Sequence, residues 1–258
     1  MFSTTYPVFG KGRILKLEML ENLRDYPKDI LDIHLQEYAD GILTGCKLQI
    51  SDNYIIITPG IIYFKGIPYI LRDPYKLPYF HTNVTTLLKI SFSEKSANND
   101  FISYTANAFI DDNIAISENE IELCRFKLKV GAKLRTDYTS FEDLETEYNT
   151  VNTIHAPYAA YKKSTISPDI LNYFAQEAFK HNPTEPLDIS FCMICMENQQ
   201  AIGRELITSY IALRLNIQKQ DYTNQTIYKY LNQILNNIST SKKTEKNMGF
   251  SSKRILID

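Results

Sequence analysis

The sequence predicts an α+β protein in which an N-terminal helical segment precedes an antiparallel, β-sandwich-like domain and a C-terminal helical domain. Two patterns support this prediction. Residues 41–71 contain short apolar runs separated by turn residues, whereas apolar residues recur at helical spacing after about residue 135. The predicted parts are a helical docking segment at 1–41, a β-rich domain at 42–135, a helical domain at 136–240 and a polar tail at 241–258.

The composition is that of a globular chain with a well-developed core. The chain has 258 residues and a formal net charge of −2, so it lacks the excess of Lys and Arg that nucleic-acid binding requires. No stretch reaches about 18 uninterrupted apolar residues, and the N-terminus lacks the apolar core of a signal peptide. We therefore expect no nucleic-acid partner, no membrane anchor, and synthesis in the cytoplasm.

The N-terminal residues predict two helices. Leu15, Met19 and Leu23 follow helical spacing, and Pro27 predicts an interruption at which a second helix begins, because proline is tolerated in a first turn. An extended conformation of residues 13–19 is an alternative. The apolar face of the second helix is formed by Ile30, Ile33, His34 and Tyr38.

About seven short strands are predicted between residues 42 and 135. Turn residues such as Pro59-Gly60 separate four runs up to Leu71, which we expect to fold back on one another as a meander. Pro74 and Pro78 predict a loop. Further strands are predicted at 84–92, at 101–110, and from Cys124 to Val130. This pattern is typical of an antiparallel sandwich or a partly closed barrel.

The helical domain carries clear start signals. Ser167 followed by Pro168 predicts a capped helix, and Thr223 predicts the cap of the last helix. The last helix has a narrow apolar stripe at i, i+4, i+7 and i+11, which packs either within the bundle or against a partner. The candidate interface residues are Ile227, Leu231, Ile234, Ile238 and Tyr38.

No catalytic, cofactor-binding or metal-binding residues are predicted. Cys192 and Cys195 form a lone CxxC in an apolar run, without two further ligands at suitable spacing, which favours core packing. Phosphate-binding glycine loops and nucleophile elbows are absent from the sequence. The histidines do not form a metal-binding motif; they are His34, His81, His155 and His181. A cell-wall hydrolase that uses two carboxylates is kept as an alternative.

The chain is rich in tyrosine, with 18 tyrosines and 13 phenylalanines but no tryptophan. Exposed tyrosine suits protein interfaces, because it combines apolar area with a hydroxyl group. Tyrosine also stacks on sugar rings. The composition is therefore compatible with a protein–protein role and with glycan binding.

Five segments carry a resemblance to a known family: YADGI at 38–42, ITPGI at 57–61, ELCRFKL at 122–128, NTIHAPYAA at 152–160 and TISPDILNYFA at 165–175. Together they resemble prophage tail proteins of Gram-positive bacteria, from contractile phages and R-type bacteriocins.

This resemblance implies a structural component of a tail tip, either a baseplate protein or an adaptor that links the baseplate to a receptor-binding fibre. It implies no enzymatic activity and no cofactor. Its partners would be other baseplate and tail-fibre proteins in a symmetric assembly of many copies, formed after synthesis in the producing bacterium. The alternative is a carbohydrate-binding module at the fibre tip. If the stripe of the last helix packs against a partner, Leu231→Asp is expected to abolish particle assembly while the chain stays folded.

Overall fold

The computed structural model describes residues 2–81 and 83–248, with the backbone alone at 241–248. It confirms the α+β class, since an N-terminal helix is followed by antiparallel strands and then by helices. The chain divides into two units, Met1–Tyr38 and Ala39–Asp258. The boundary predicted near residue 135 remains a prediction.

The N-terminal unit contains one helix, α1, at Leu17–Leu35, with Pro27 in its interior. The prediction of two helices is therefore wrong. Leu23 and Ile30, on either side of the proline, are seven residues apart, so the apolar face keeps one helical register across it. Residues before Leu17 are not helical, so the extended alternative for residues 13–19 holds only up to Lys16.

The described residues of the β-rich part form three sheets of three strands and one two-stranded hairpin, all antiparallel. The sheet orders are β1-β4-β5, β2-β3-β6 and β10-β7-β11, and β8 pairs with β9. The strands are β1 (Gly41–Gly45), β2 (Leu48–Ser51), β3 (Tyr54–Ile57), β4 (Gly60–Phe64), β5 (Ile67–Leu71), β6 (Tyr75–Pro78), β7 (Thr85–Phe92), β8 (Ser96–Ala97), β9 (Ile102–Ser103), β10 (Ala106–Asp111) and β11 (Glu120–Lys127).

The predicted meander is wrong in its pairing. The hairpins β2–β3 and β4–β5 exist, but they belong to different sheets, because β1, which was not predicted, pairs with β4. The two strands meet where Gly45 faces Gly60, and a Cβ atom on Gly45 would lie 2.1 Å from the carbonyl oxygen of Pro59. Only glycine allows this approach, and Gly45 also has a φ of +66°.

Three local predictions in this part need correction. The stretch predicted as a loop between Pro74 and Pro78 contains strand β6, which pairs on one side only and so tolerates proline. The strand predicted at 101–110 is divided into β9 and β10. The strand predicted from Cys124 to Val130 is β11, which ends at Lys127, and Val130 is 83 % exposed.

The three larger sheets share one core, which includes side chains of the central strand β7. Leu88, Ile90 and Phe92 of this central strand pack with apolar side chains from the other sheets. Lys89, on the opposite side of β7, is 1 % exposed. Its ammonium group donates to the Asp111 carboxylate at 2.7 Å and to the Ala115 carbonyl at 2.6 Å, so the buried charge is paired.

Up to residue 248, the helical part contains a short 3-10 helix and four α-helices: Phe141–Glu145, α2 (Pro168–Lys180), α3 (Pro186–Glu197), α4 (Arg204–Leu215) and α5 (Asn224–Met248). Both predicted caps are confirmed. The Ser167 hydroxyl accepts a hydrogen bond from the Asp169 amide at 3.2 Å, and the Thr223 hydroxyl accepts one from the Thr226 amide at 3.2 Å. Because α5 continues to Met248, the predicted tail begins as helix; residues 249–258 lie outside the described residues.

Candidate interaction surfaces

The stripe of the last helix lies inside the protein. Ile227, Leu231 and Ile234 are 0 % exposed and Ile238 is 5 % exposed. They belong to the core of the helical part, which also contains side chains of α2, α3 and α4. Of the two alternatives left open by the sequence, packing within the bundle is the one the geometry supports. These four side chains are therefore not available to a partner. Leu231→Asp is accordingly expected to destabilise the helical part and not an interface.

Tyr38, the remaining predicted interface residue, ends the N-terminal unit. Its side chain is half-buried, and its ring stacks against His34 with a centroid distance of 6.4 Å. The Tyr38 amide donates to the Leu35 carbonyl at 2.9 Å, which closes the turn after α1. An interface role for Tyr38 stays a prediction.

The N-terminal unit exposes most of its large apolar side chains. In α1, Leu35 is the buried residue, whereas Leu23 is 51 % exposed and Ile33 is 67 % exposed. The exposed set in this unit comprises Phe2, Tyr6, Val8, Phe9, Ile14, Leu15, Leu17, Leu20, Leu23, Ile30, Leu31 and Ile33. Large exposed apolar patches are typical of surfaces that bind proteins, membranes or ligands. The apolar spacing of α1 was visible in the sequence, but its exposure was not.

These side chains are arranged on one side of α1. At about 100° per residue, the apolar residues cover roughly half of the circumference. This apolar arc consists of Met19, Leu20, Leu23, Tyr26, Pro27, Ile30, Leu31 and Ile33. The opposite face is acidic and consists of Glu18, Glu21, Asp25, Asp29 and Asp32, with Lys28 among them.

The segment before α1 turns back onto the helix within the same unit. The rings of Tyr6 and Tyr26 meet edge to face with centroids 5.4 Å apart, and their hydroxyl oxygens are 3.2 Å apart. This contact covers part of Tyr26 and leaves Leu23 and Ile30 uncovered. The apolar arc of α1 is thus only partly covered by its own unit.

A second surface is a groove of about 360 Å³ in the β-rich part. It is lined by Tyr69 of β5, Tyr75 of β6, Tyr104, and Asn107 of β10. The ring of Tyr69 rests on Phe92 at a centroid distance of 4.8 Å, which fixes its orientation. Burial, with a smaller contribution from Tyr104, raises the pKa of Tyr69 above its usual value, so its hydroxyl stays protonated at neutral pH.

The groove has the composition of a small-molecule site, because aromatic and aliphatic walls surround a few polar groups. Tyr75 is 47 % exposed and Tyr104 is 39 % exposed, so both rings are accessible. Sequence analysis missed this cluster, since its tyrosines come from three separate segments. Within the described residues, each of β5, β6 and β10 pairs with one neighbour only.

A polar pocket lies between β11 and the start of α5, with His155, Glu145 and Glu147 in its wall. Its carboxylates have partners: Glu147 accepts from Lys127 at 2.8 Å, and Glu145 accepts from Gln225. Burial, followed by the nearby Arg125 charge, lowers the pKa of His155, which favours the neutral imidazole at pH 7. The pocket brings together an imidazole and two carboxylates, and each carboxylate accepts a hydrogen bond from a neighbouring side chain.

The four cysteines are buried and form no disulfide bonds, which agrees with the core packing predicted for Cys192 and Cys195. Burial raises the pKa of Cys46 to about 11 and that of Cys192 to about 12, and it raises those of Cys124 and Cys195 further. Since the thiolate is the reactive form, these thiols are poor nucleophiles at neutral pH. In the part of the chain that the structure describes, no group of three or more His, Cys, Asp and Glu side chains could hold a metal ion.

None of the described helices has both the length and the apolar composition of a membrane span. No protein-family model matches the sequence. A search of curated proteins likewise finds none that is similar.

The solved structures that are similar to this fold include two from the baseplate of a type VI secretion system. One is a chain of the TssK–TssF–TssG baseplate subcomplex, seen by cryo-electron microscopy. Its TM-score is 0.38 at 8 % identity, over 91 % of this chain and 100 % of that chain. The other is the crystal structure of TssK, with a TM-score of 0.39 at 9 % identity, over 90 % of this chain and 72 % of that chain. At these TM-scores, the likeness carries no argument about function.

Proposed function

We propose that the protein is a structural subunit of a contractile, phage-like tail tip, where it serves as a baseplate protein or as an adaptor between baseplate and receptor-binding fibre. The observation that carries the proposal is the exposed apolar arc of α1. The five segments between residues 38 and 175 that resemble prophage tail proteins indicate the assembly to which the protein would belong, a phage-like tail. The work of such a subunit is to bind its neighbours.

The energetics of the N-terminal unit support a role in assembly. Burying one leucine or isoleucine side chain contributes about 1.5–3 kcal/mol, and most such side chains of this unit remain in water. Units of fewer than about 40 residues seldom stabilise themselves without disulfides, metals or oligomerisation. Met1–Tyr38 is a unit of this size, and the described cysteines all lie outside it. A protein partner therefore completes its core.

The proposed mechanism is mechanical. Subunits around a tail axis make heterologous contacts that close into a ring, and the other surfaces of each subunit then bind fibre or baseplate proteins. Receptor engagement would shift the balance between two arrangements of these interfaces. This role needs no cofactor and no reaction.

Replacement of Leu23 by glutamate in the producing bacterium tests this function. Because the substitution places a charge in the centre of the apolar arc, we expect Leu23→Glu to remove the protein from purified tail particles, as measured by immunoblotting. Leu213→Glu is the matched control, since Leu213 is a 70 % exposed leucine on α4. Normal amounts of Leu23→Glu protein in the particles would contradict the proposal.

Glycan binding is the second candidate function, and the tyrosine groove is the observation that favours it. Three tyrosine rings beside Asn107 combine stacking surfaces with amide and hydroxyl hydrogen-bonding groups, and the volume suits one or two sugar rings.

Loss of one stacking ring is expected to weaken glycan binding. An aromatic contact contributes about 0.5–1.5 kcal/mol beyond its buried area, so Tyr104→Ala should lower the affinity for cell-wall glycan about tenfold in a glycan-binding assay. Tyr161→Ala is the control, because Tyr161 is 55 % exposed and lies outside the groove. Equal binding by the two variants, or the absence of binding by the unmodified protein, would count against this function.

A further inference from the structure

Two series with heptad spacing follow the apolar side of α1, and both include Leu23 and Ile30. The first series has steps of four and three residues: Met19, Leu23, Tyr26, Ile30 and Ile33. The second has steps of three and four residues: Leu20, Leu23, Pro27, Ile30 and His34. His34, which ends the second series, lies outside the apolar arc defined above. One such series forms a seam against one neighbouring helix. Two adjacent seams on one helix fit two neighbours, as in a bundle of three or more helices.

The two edges of the apolar arc carry opposite charges. On the helical projection, Arg24 and Lys28 lie at one edge, whereas Glu18 and Asp29 lie near the other, beyond Asn22. When identical helices pack in parallel around a symmetry axis, one edge of each helix meets the opposite edge of the next. The basic edge of one copy then faces the acidic edge of its neighbour. An antiparallel pair would place like edges together.

The ion pairs that Arg24 and Lys28 already form do not prevent them from contacting the acidic edge of a neighbouring copy. Arg24 pairs with Asp25, and Lys28 pairs with Asp32, each at 2.6 Å. The four side chains are between 43 % and 68 % exposed. Exposed pairs of this kind contribute little to stability and can change partners at little cost.

The charge of the polar face selects among possible occupants of the apolar arc. Helices that lie on membranes carry Lys and Arg on the polar face, where they meet anionic lipid. The polar face of α1 is acidic instead. The same acidic face opposes contact with nucleic acid. A protein surface is therefore the appropriate partner, and another copy of α1 supplies both the apolar area and the complementary edge.

We propose that α1 packs in parallel with α1 of further copies of this chain, forming a homotypic bundle of three or more helices that joins the protomers. This inference rests on the proposed function, because it names the partner of the same surface. Leu23 and Ile30 would lie at the centre of the bundle. Arg24 and Lys28 of each copy would face Glu18 and Asp29 of the next.

The first test measures the mass of the full chain in solution by light scattering and sedimentation over a range of concentrations. We expect a species of three or more copies, and at least tenfold weaker association for Leu23→Glu. Leu213→Glu should associate like the unmodified protein. Circular dichroism should show equal thermal unfolding of the Ala39–Asp258 unit in all three proteins, because Leu23 lies outside this unit and Leu213 is exposed on α4.

The second test exchanges the charges at the two edges. Arg24→Glu combined with Lys28→Glu makes both edges acidic, and Glu18→Lys combined with Asp29→Lys makes both basic. Each double variant alone should associate at least tenfold more weakly than the unmodified chain. An equimolar mixture of the two should recover mixed oligomers, detected by a tag on one variant. Failure of the mixture to associate would refute the proposed pairing of basic and acidic edges.

The outcomes separate this inference from the proposed function. If the unmodified chain is monomeric throughout, or if Leu23→Glu leaves its mass unchanged, the homotypic bundle is refuted. Should Leu23→Glu then still be lost from tail particles, the tail role stands and a different subunit covers α1. If particle incorporation is also normal, both the bundle and the proposed function fail.

Discussion

Leu231→Asp is expected to unfold the helical part of the protein. Leu231 is 0 % exposed and lies in the core shared by α2, α3, α4 and α5. Truncation of a buried leucine to alanine alone costs about 2–5 kcal/mol, and the aspartate adds the desolvation of a carboxylate that has no partner there. The sum is comparable to the whole stability of an ordinary domain, about 5–15 kcal/mol. Urea unfolding followed by circular dichroism measures the loss.

The control for this prediction is Leu213→Asp, which makes the same chemical change at an exposed site on α4. Leu213 is 70 % exposed, so its replacement should change the free energy of unfolding by less than about 1 kcal/mol. A Leu231→Asp protein as stable as the control would show that the stripe of α5 does not fill the core. The interface hypothesis of the sequence analysis would then be restored.

Arg214→Met is expected to destabilise the protein by about 3–5 kcal/mol, because it leaves a buried carboxylate without its cation. Asp188 on α3 is 1 % exposed. Its two carboxylate oxygens accept from Arg214 Nε at 2.8 and 2.9 Å, and one of them accepts from the Tyr210 hydroxyl at 2.8 Å. Burial, and then the charge of Asp188, raise the pKa of Tyr210, so its hydroxyl keeps the proton that it donates.

This ion pair connects α3 to α4, so its loss should separate the two helices. Replacing both partners, as in Asp188→Asn with Arg214→Met, removes the charge and should recover part of the stability. Lys163→Met is the exposed control: Lys163 pairs with Asp221, both side chains are 60 % exposed, and the expected change is below about 1 kcal/mol. Equal losses for Arg214→Met and Lys163→Met, measured by urea unfolding, would argue against a structural role for the buried pair.

Many local features could be predicted from the sequence, because they depend on neighbouring residues. The caps at Ser167 and Thr223 are hydrogen bonds that span two or three residues, and they form as the residue types predict. The strand predicted at 84–92 is β7, which pairs with β10 on one side and with β11 on the other. Pro27 was the exception, since the periodicity across it outweighs the preference of proline for a first turn.

Strand pairing could not be predicted, because it depends on distant residues. The approach of β1 to β4 requires two glycines, Gly45 and Gly60, that meet across the sheet. The tyrosine groove likewise combines Tyr69, Tyr75 and Tyr104, which share no periodic pattern. Sequence spacing reports only which side of an element is apolar, not which elements meet.

The sequence by itself determined the α+β class, the caps of two helices, and the apolar stripes of α1 and α5. Only the tertiary structure decided which stripe is covered. Leu231 and Leu23 both lie on helical stripes, yet the first is 0 % exposed and the second 51 % exposed. The physical reason is that periodicity reports only the preference of a helix face for an apolar environment. The elements that pack against the face determine whether its own chain or a partner provides that environment.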